Sequence, residues 1–325
     1  MRPEGVSSSE PLRCAVVGVG HLGRWHADKY HGLEGCDLVA VADVDPVRAG
    51  EVADRLGCEA VADYRALLGR VDAVSIAVPT EQHHTVAREF LSAGAHVLVE
   101  KPITVSVSQA DELIDLAARQ ARVLAVGHLE RFNPVLAACR LPAGPRFIEA
   151  HRLAPFPGRG TDVDVVLDLM IHDLDIILHV VDEELVDVAA VGAPVLTGSP
   201  DIANARLTFA GGCVANVTAS RVSLDVQRKM RMFFADTYVS LDFHRRSFTR
   251  CRRDPSSEAP PVPGIALERA TLEAGDSLLE EISHFVTCIR GDSRPRVGGE
   301  EGRKALALAS RISHLIAARQ REERG

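Results

Sequence analysis

The chain has 325 residues, of which 45 are acidic and 37 basic, so its formal net charge is −8. This balance argues against nucleic acid as a partner, and no apolar run approaches the roughly 18–20 residues that a membrane span needs, so we expect no membrane partner either. Seven widely spaced cysteines without a Cys-x-x-Cys pair argue against a disulfide framework or zinc site and predict reduced thiols in a cytoplasmic protein.

A glycine-rich turn follows the first predicted strand. Residues 1–11 are polar and predict a disordered tail, and residues 13–17 form a short apolar strand. Gly18, Gly20 and Gly23 then precede a helical pattern. Glycines at this spacing between a strand and a helix are typical of a dinucleotide site, where they permit a tight turn and close approach to a pyrophosphate. We therefore expect this turn, including His21 and Leu22, to bind the phosphates at the positive end of the helix.

Asp43 follows the second predicted strand, residues 37–42, at 20 positions beyond Gly23. A carboxylate at about this distance binds the ribose hydroxyls of the adenosine half of NAD. It would repel a 2′-phosphate, and the next basic residue is Arg48, so we predict NAD as the cofactor, with NADP less favoured. The alternative is a glycine turn in an unrelated α/β fold, with Asp43 capping a helix.

Strands and helices alternate through the rest of the first half. Helices are predicted at residues 46–57, 63–69, 81–93 and 107–120, and strands at 71–78, 95–99 and 123–127. This alternation predicts a doubly wound, parallel Rossmann sheet over residues 12–128, with its ligand at the carboxyl ends of the strands. The residues expected to contact the cofactor there are Pro79, Thr80, His83, Glu100 and Lys101. For His83, a polar position at the start of a helix is an equal alternative.

The pattern changes beyond residue 130. A helix is predicted at residues 164–181, a surface loop at 252–264 and helices at 277–289 and 302–319. Between the first helix and the loop lie six short apolar or alternating runs, 186–191, 203–209, 213–220, 229–234, 238–243 and 247–252. They predict an α+β second domain over residues 129–325, built on a large, open, mostly antiparallel sheet. We expect its C-terminal helix to pack back toward the first domain.

Two places carry residues suited to chemistry on an alcohol. Lys101 follows a strand and precedes Pro102, and its ammonium can lower the pKa of a bound hydroxyl; a solvated Glu100–Lys101 pair is the alternative. Asp168 and His172 are four residues apart on a helix, and a histidine can accept the hydroxyl proton. The alternative is a surface helix with polar caps. A metal site at His172, Asp175 and His179 lacks a further ligand, so we expect no metal.

The chain resembles the glucose–fructose oxidoreductase/inositol dehydrogenase/MocA family. Its matching pieces are GVGHLG at 18–23, VADVDP at 41–46, VPTEQHH at 78–84, AGAHVLVEKP at 93–102, GHLERFNP at 127–134, LDLMIHDLD at 167–175 and EISHFVTCIRG at 281–291. The resemblance implies an NAD(P)-dependent sugar or polyol dehydrogenase in which Lys101 and His172 flank the reacting carbon and Asp168 assists. It also implies a homodimer or homotetramer formed through the second sheet.

GHLERFNP and GTDVDVVLDLMIHD resemble a subgroup of this family, the UDP-N-acetylglucosamine 3-dehydrogenases. That likeness implies oxidation at C3 of UDP-N-acetylglucosamine or a close UDP-sugar, as a lipopolysaccharide amino-sugar precursor, with a pathway aminotransferase as a partner. Arg131, Asn133 and Arg152 then become candidate contacts to the substrate or its diphosphate; Arg131 bracing the domain junction is the alternative. The rival functions are a dehydrogenase of a free polyol or monosaccharide and a non-catalytic NAD-binding regulator.

Overall fold

The computed structural model describes residues 10–156, 163–257, 263–291 and 293–322. Most of the predicted tail and residues 258–262 of the predicted loop therefore lie outside the described residues. The described chain divides into two compact units. The first contains the residues up to Leu129 together with Asp276–Arg303, and the second contains Glu130–Gly275 and the residues from Lys304 onward.

The first unit is built on a parallel sheet of six strands in the order β3-β2-β1-β4-β5-β6. This is the strand order of the Rossmann fold, and it confirms the predicted doubly wound sheet. The strands are β1 Leu12–Val17, β2 Cys36–Ala42, β3 Glu59–Val61, β4 Ala73–Ile76, β5 His96–Glu100 and β6 Leu124–Gly127. The helices between them are α1 Gly23–Gly32, α2 Pro46–Leu56, α3 Thr80–Ser92 and α4 Val107–Arg119, with a 3₁₀ turn at Tyr64–Leu67. A second 3₁₀ turn, Leu129–Phe132, follows β6.

Local capping chemistry explains where α2 and α4 begin and end. Asp45 Oδ1 accepts hydrogen bonds from the first amides of α2, Pro46 occupies its first turn, and Gly57 ends it in the left-handed region at φ 68°. Ser106 and Gln109 form a reciprocal capping box at the start of α4. These boundaries agree closely with those that the sequence predicts, because the signals are local.

Helix α7, Ser277–Gly291, belongs to the first unit. Its buried residues Ile282, Phe285 and Val286 join the hydrophobic cluster that includes residues of β1 and α1. An ion pair of 2.6 Å between Lys29 Nζ and Asp276 Oδ2 joins α1 to the start of this segment. The predicted second domain, residues 129–325, is therefore interrupted. The division into units changes near residue 129 and puts 276–303, which the prediction gave to the second domain, with the first unit, since the apolar face of α7 packs in the first core.

The second unit contains a sheet of eight strands in the order β14-β13-β12-β11-β7-β10-β9-β8. All neighbouring pairs are antiparallel except β7 with β10, which confirms the predicted mostly antiparallel sheet. The strands are β7 Phe147–Leu153, β8 Leu185–Ala193, β9 Ile202–Phe209, β10 Val214–Ser220, β11 Gln227–Phe233, β12 Thr237–Asp242, β13 Ser247–Arg253 and β14 Ile265–Thr271. Strands β7 and β14 are absent from the sequence prediction.

Three helices complete the second unit: α5 Pro134–Cys139, α6 Ile171–Val181 and the greater part of α8 Gly299–Glu322. A turn of π-helix, Val166–Met170, leads directly into α6. The core contains the inward positions of the sheet, most of α6 and one face of α8, including Ala305, Leu308 and Ile312. Among the described residues, no helix is both long and apolar enough to cross a bilayer.

Candidate active site

The glycine turn joins β1 to α1 in the first unit. Gly18 has φ 83°, and a Cβ there would lie 2.7 Å from the Ala77 carbonyl oxygen. A Cβ on Gly23 would lie 1.7 Å from the Gly18 carbonyl oxygen, so no side chain fits either position. Gly20 instead borders open space, and no side chain caps the start of α1. The bare backbone at the positive end of a helix fits the pyrophosphate of a dinucleotide. His21 and Leu22, also predicted here, are exposed on this turn.

Asp43 lies at the carboxyl end of β2 with little exposed surface. Its Oδ2 accepts a hydrogen bond from the Val19 amide at 2.9 Å, and its Oδ1 accepts one from the Asp45 amide at 2.9 Å. Asp43 therefore holds the glycine turn against β2. The half-exposed Arg48 guanidinium donates to Oδ1 at 3.2 Å, which brings a cation to the ribose end of the site. Arg48, the first basic residue after Asp43 in the sequence, thus lies beside this carboxylate, and the preference for NAD stays a prediction.

Lys101 follows Glu100 at the carboxyl end of β5 and is partly exposed. The carboxylate of Glu100 accepts a hydrogen bond from the Lys101 amide at 3.3 Å and contacts His26 Nε2 at 3.0 Å. Burial raises the pKa of Glu100, but the hydrogen bond and charge of His26 and the charge of Lys101 outweigh it, so this pKa lies below its usual value. The buried carboxylate thus orders the backbone that carries the Lys101 ammonium. Sequence reasoning missed His26, which has no motif of its own.

His83 is buried, with 1% of its surface exposed. Its Nδ1 lies 2.8 Å from the Pro102 carbonyl oxygen, and its Nε2 lies 2.9 Å from the Val78 carbonyl oxygen. Burial lowers the pKa of His83 despite these two carbonyls. The ring therefore joins the segments after β4 and β5 and supports the Lys101–Pro102 segment, and the expected contact of His83 with the cofactor stays a prediction. Pro79, which is exposed, and Thr80, which is partly exposed, lie at the start of α3 near this connection.

The second unit carries Asp168 and His172. Asp164 Oδ1 accepts hydrogen bonds from the amides of Val166 and Leu167, both at 3.0 Å, and so caps the π-helical turn. Asp168 lies within that turn and His172 in the first turn of α6, and both are partly exposed. A π-helical turn is rare and occurs often at functional sites. The sequence pattern predicted a continuous α-helix here and missed the change in winding.

Arg131, Asn133 and Arg152 are buried within the second unit. The guanidinium of Arg152 donates to both carboxylate oxygens of Asp173 at 2.9 Å and to Glu130 Oε1 at 2.9 Å. Asn133 donates to Glu130 Oε2 at 3.1 Å. Burial raises the pKa of Glu130, but the charge of Arg152 outweighs this and holds it below its usual value.

Arg131 donates at 3.3 Å to Oδ1 of Asp175, which lies two residues beyond Asp173 on the same helix. These contacts tie α6 to β7 and to the segment after β6. Because a phosphate there would have to displace buried carboxylates, the network supports a structural role for these three side chains, and their contact with the substrate or its diphosphate stays a prediction. The sequence signal for the network is IHDLD, in which both acids are buried in a helix that is buried on most of its circumference. No set of His, Cys, Asp and Glu side chains in the described ranges is grouped to hold a metal ion.

The strand order and the glycine turn place the first unit in the class of Rossmann dinucleotide-binding proteins. Residues 12–128 match the family model described as "Oxidoreductase family, NAD-binding Rossmann fold", and residues 145–235 match the "GFO/IDH/MocA C-terminal domain". The chain belongs to this GFO/IDH/MocA family of oxidoreductases. It is an NAD(P)-dependent dehydrogenase acting on a CH–OH group.

Two curated relatives illustrate the range of the family. The chain is 42% identical to the UDP-N-acetylglucosamine 3-dehydrogenase of Acidithiobacillus ferrooxidans over 94% of its own length and 98% of that protein. A solved structure of that enzyme covers the same shares of both chains with a TM-score of 0.89. An inositol 2-dehydrogenase of Rubrobacter xylanophilus is 34% identical over 66% of each chain. A levoglucosan dehydrogenase in complex with NADH and levoglucosan, 16% identical over 95% of this chain and 98% of that one, shares the fold with a TM-score of 0.84.

Proposed function

We propose that this dehydrogenase oxidises the C3 hydroxyl of UDP-N-acetylglucosamine or a close UDP-sugar with NAD. The observation that carries the proposal is the 42% identity to an enzyme of that name across 94% of this chain and 98% of the other. The LDLMIHDLD and GHLERFNP segments, which resemble the same subgroup, support it. The product is a 3-keto sugar, which an aminotransferase would convert into an amino-sugar precursor of lipopolysaccharide in the cytoplasm.

The chain's own residues take three roles in the proposed reaction. NAD, when bound, accepts the hydride from the carbon. His172 accepts the hydroxyl proton at its imidazole, and the Lys101 ammonium stabilises the negative charge that develops on the oxygen. Asp168 orients Lys101 or a sugar hydroxyl. The ordered backbone at Glu100 and His83 fits the role of Lys101, because a cation stabilises a developing charge best when it is already in position.

The proposed assembly is a homodimer or homotetramer that forms through the open face of the second sheet. An aromatic cluster supports this proposal. Phe233 packs against Phe147 and Tyr238, with ring centroids 5.7 and 5.1 Å apart, and 37% of its surface is exposed. Exposed aromatic side chains that pack together are typical of interface cores.

A panel assay tests the substrate. Purified protein is mixed with NAD, a ketone trap and, in turn, UDP-N-acetylglucosamine, other UDP-sugars, inositol and free monosaccharides, and the absorbance of NADH is followed. We expect turnover with UDP-N-acetylglucosamine and none with inositol. Turnover confined to free polyols would overturn the substrate, in favour of a polyol dehydrogenase. Tight NADH binding without turnover on any member would favour a regulator.

A further inference from the structure

A second buried ion pair lies in the second unit, apart from the network of Arg152. Asp201 precedes β9 and is fully buried. Its Oδ2 accepts hydrogen bonds from three successive amides, those of Val195, Leu196 and Thr197, at 2.8, 2.6 and 2.9 Å. Burial raises the pKa of Asp201, but these amides and Arg221 outweigh it and hold the pKa well below its usual range. The carboxylate thus orders the 194–201 loop as an anion.

Arg221 follows β10 and has 1% of its surface exposed. Its Nε donates to Asp201 Oδ1 at 2.9 Å, and its Nη2 donates to the hydroxyls of Thr197 and Ser199 at 3.1 and 3.0 Å. Its Nη1 points out of the loop and donates to the Val163 carbonyl oxygen at 2.7 Å. Only a planar guanidinium with several fixed donors can satisfy all of these acceptors together.

Val163 stands immediately before the helix that carries Asp168 and His172. The Val165 amide donates to the Pro200 carbonyl oxygen at 3.1 Å, so the 194–201 loop holds this entry segment at a second point. Between these two contacts, Asp164 caps the π-helical turn. The residues on either side of Asp164 are therefore both held, Val163 by Arg221 and Val165 by the loop that Asp201 orders.

We propose that Arg221, held by Asp201, is a positioning residue that sets the start of the π-helical turn and thereby the placement of Asp168 and His172. This inference rests on the proposed function in so far as those two residues act on the substrate. A well-packed apolar pair can stabilise a fold as well as a buried ion pair does, so the energetic value of this pair alone does not explain it. The hydrogen bond from the Arg221 guanidinium to the Val163 carbonyl oxygen fixes the position of the segment that enters the π-helical turn. An apolar pair could not make this bond.

The test compares Arg221→Lys with Arg269→Lys, an exposed arginine on edge strand β14. Lysine keeps the charge beside Asp201 but loses the fork that reaches Val163. We expect Arg221→Lys to lower kcat by roughly 10- to 100-fold with little change in KM, since misplaced catalytic groups slow the reaction more than they weaken binding. Arg269→Lys should leave both constants unchanged. If Arg221→Lys instead raised KM by 10- to 100-fold with kcat unchanged, or changed neither constant, the proposal would be overturned.

A double-variant cycle separates positioning from general support of the fold. If Arg221 acts through Asp168 and His172, Arg221→Lys should change kcat little when both Asp168→Ala and His172→Ala are already in place, because the groups it positions are gone. If Arg221→Lys lowers kcat by the same factor in this background as in the unmodified protein, the proposal is contradicted. If Arg221→Lys fails to fold, Ser199→Ala removes one acceptor of Arg221 and should produce a smaller loss of kcat that vanishes in the same background.

A substrate-free measurement keeps this inference separate from the proposed function. In protein with labelled histidine side chains, the NMR resonance of the His172 ring should shift in Arg221→Lys and not in Arg269→Lys. If no panel member is oxidised but this resonance shifts, the substrate proposal fails and the positioning proposal stands. An unshifted resonance together with normal kcat in a variant that turns over UDP-sugars overturns the positioning proposal alone.

Discussion

The candidate functional residues depend on supporting neighbours, several of which are distant in the chain. Lys101 is ordered by Glu100, which in turn contacts His26, and by His83 through the Pro102 carbonyl. Asp43 both faces the predicted ribose site and holds the Val19 amide of the glycine turn. A residue that sequence reasoning assigns to binding can therefore have a second, structural role.

Lys101→Ala should lower kcat by about 100-fold or more, because it removes the cation that we propose stabilises the developing oxyanion. The effect on the Kd of NADH, followed by NADH fluorescence, should be much smaller. Lys304→Ala, an exposed lysine of α8, is the matched control and should behave as the unmodified protein. A kcat for Lys101→Ala within about 3-fold of the control would contradict the assigned role.

Asp43→Asn should raise the Kd of NAD by roughly 10- to 100-fold, since a hydrogen bond to a charged group contributes about 1.5–3 kcal/mol. The Kd of NADP should rise less, because Arg48 remains beside the site after the negative charge is removed. Titration calorimetry with both dinucleotides measures these constants. The control is Asp45→Asn, which keeps the cap of α2 and should leave both constants nearly unchanged. Equal losses for NAD and NADP would argue against a role of Asp43 in distinguishing them.

At the scale of the element, helix α7 buries a carboxyl group inside the first unit. Glu281 has 2% of its surface exposed, and neither of its carboxyl oxygens has a hydrogen-bond partner among the described residues. Burial, with a contribution from the negative charge of Glu100, raises the pKa of Glu281 well above its usual value. The folded protein therefore keeps a proton that the unfolded chain releases.

Glu281→Gln should flatten the pH dependence of stability. In the unmodified protein the folded pKa lies above the unfolded value near 4.5, so this contribution to stability is present below that pH and is lost as pH rises through the folded pKa. The free energy of unfolding of Glu281→Gln, relative to the unmodified protein, should thus increase from about pH 5 to about pH 8. Urea unfolding measures it, and Glu280→Gln, an exposed neighbour, should show no such trend. A constant difference across this range would show that Glu281 is ionised in the folded protein.

Strands also show how far local pattern predicts structure. The six predicted runs of the second half each correspond to a strand, but β7, a central strand, was missed. Its inward positions are Ile148, Ala150 and Arg152, and a buried arginine breaks the apolar alternation that reveals a strand. Arg152 is tolerated there because Asp173 and Glu130 pair with it. Strand β14 was missed because it is an edge strand with little burial on either face.

At the scale of the whole molecule, the open face of the second sheet predicts self-association. Phe233→Glu should weaken the proposed homo-oligomer by about 30-fold or more, since it puts a charge into the aromatic cluster and central aromatic residues often contribute about 2 kcal/mol or more to an interface. Light scattering across a dilution series measures this change. Leu224→Glu makes a similar change of polarity at a fully exposed loop position and should leave the oligomer intact. An unchanged mass for Phe233→Glu would place the interface elsewhere.

Features that arise from local chemistry can be predicted from the amino-acid sequence alone. The spacing of Gly18, Gly20 and Gly23, the alternation of strands and helices, and the caps of α2 each reflect contacts among near neighbours, so their pattern is visible in the chain. The three-dimensional fold sets which polar groups are buried together. It assigned Arg152 to Asp173 and Glu130, His83 to two carbonyls and α7 to the first unit, because burial makes a charge or an apolar face depend on partners that the linear sequence does not place beside it.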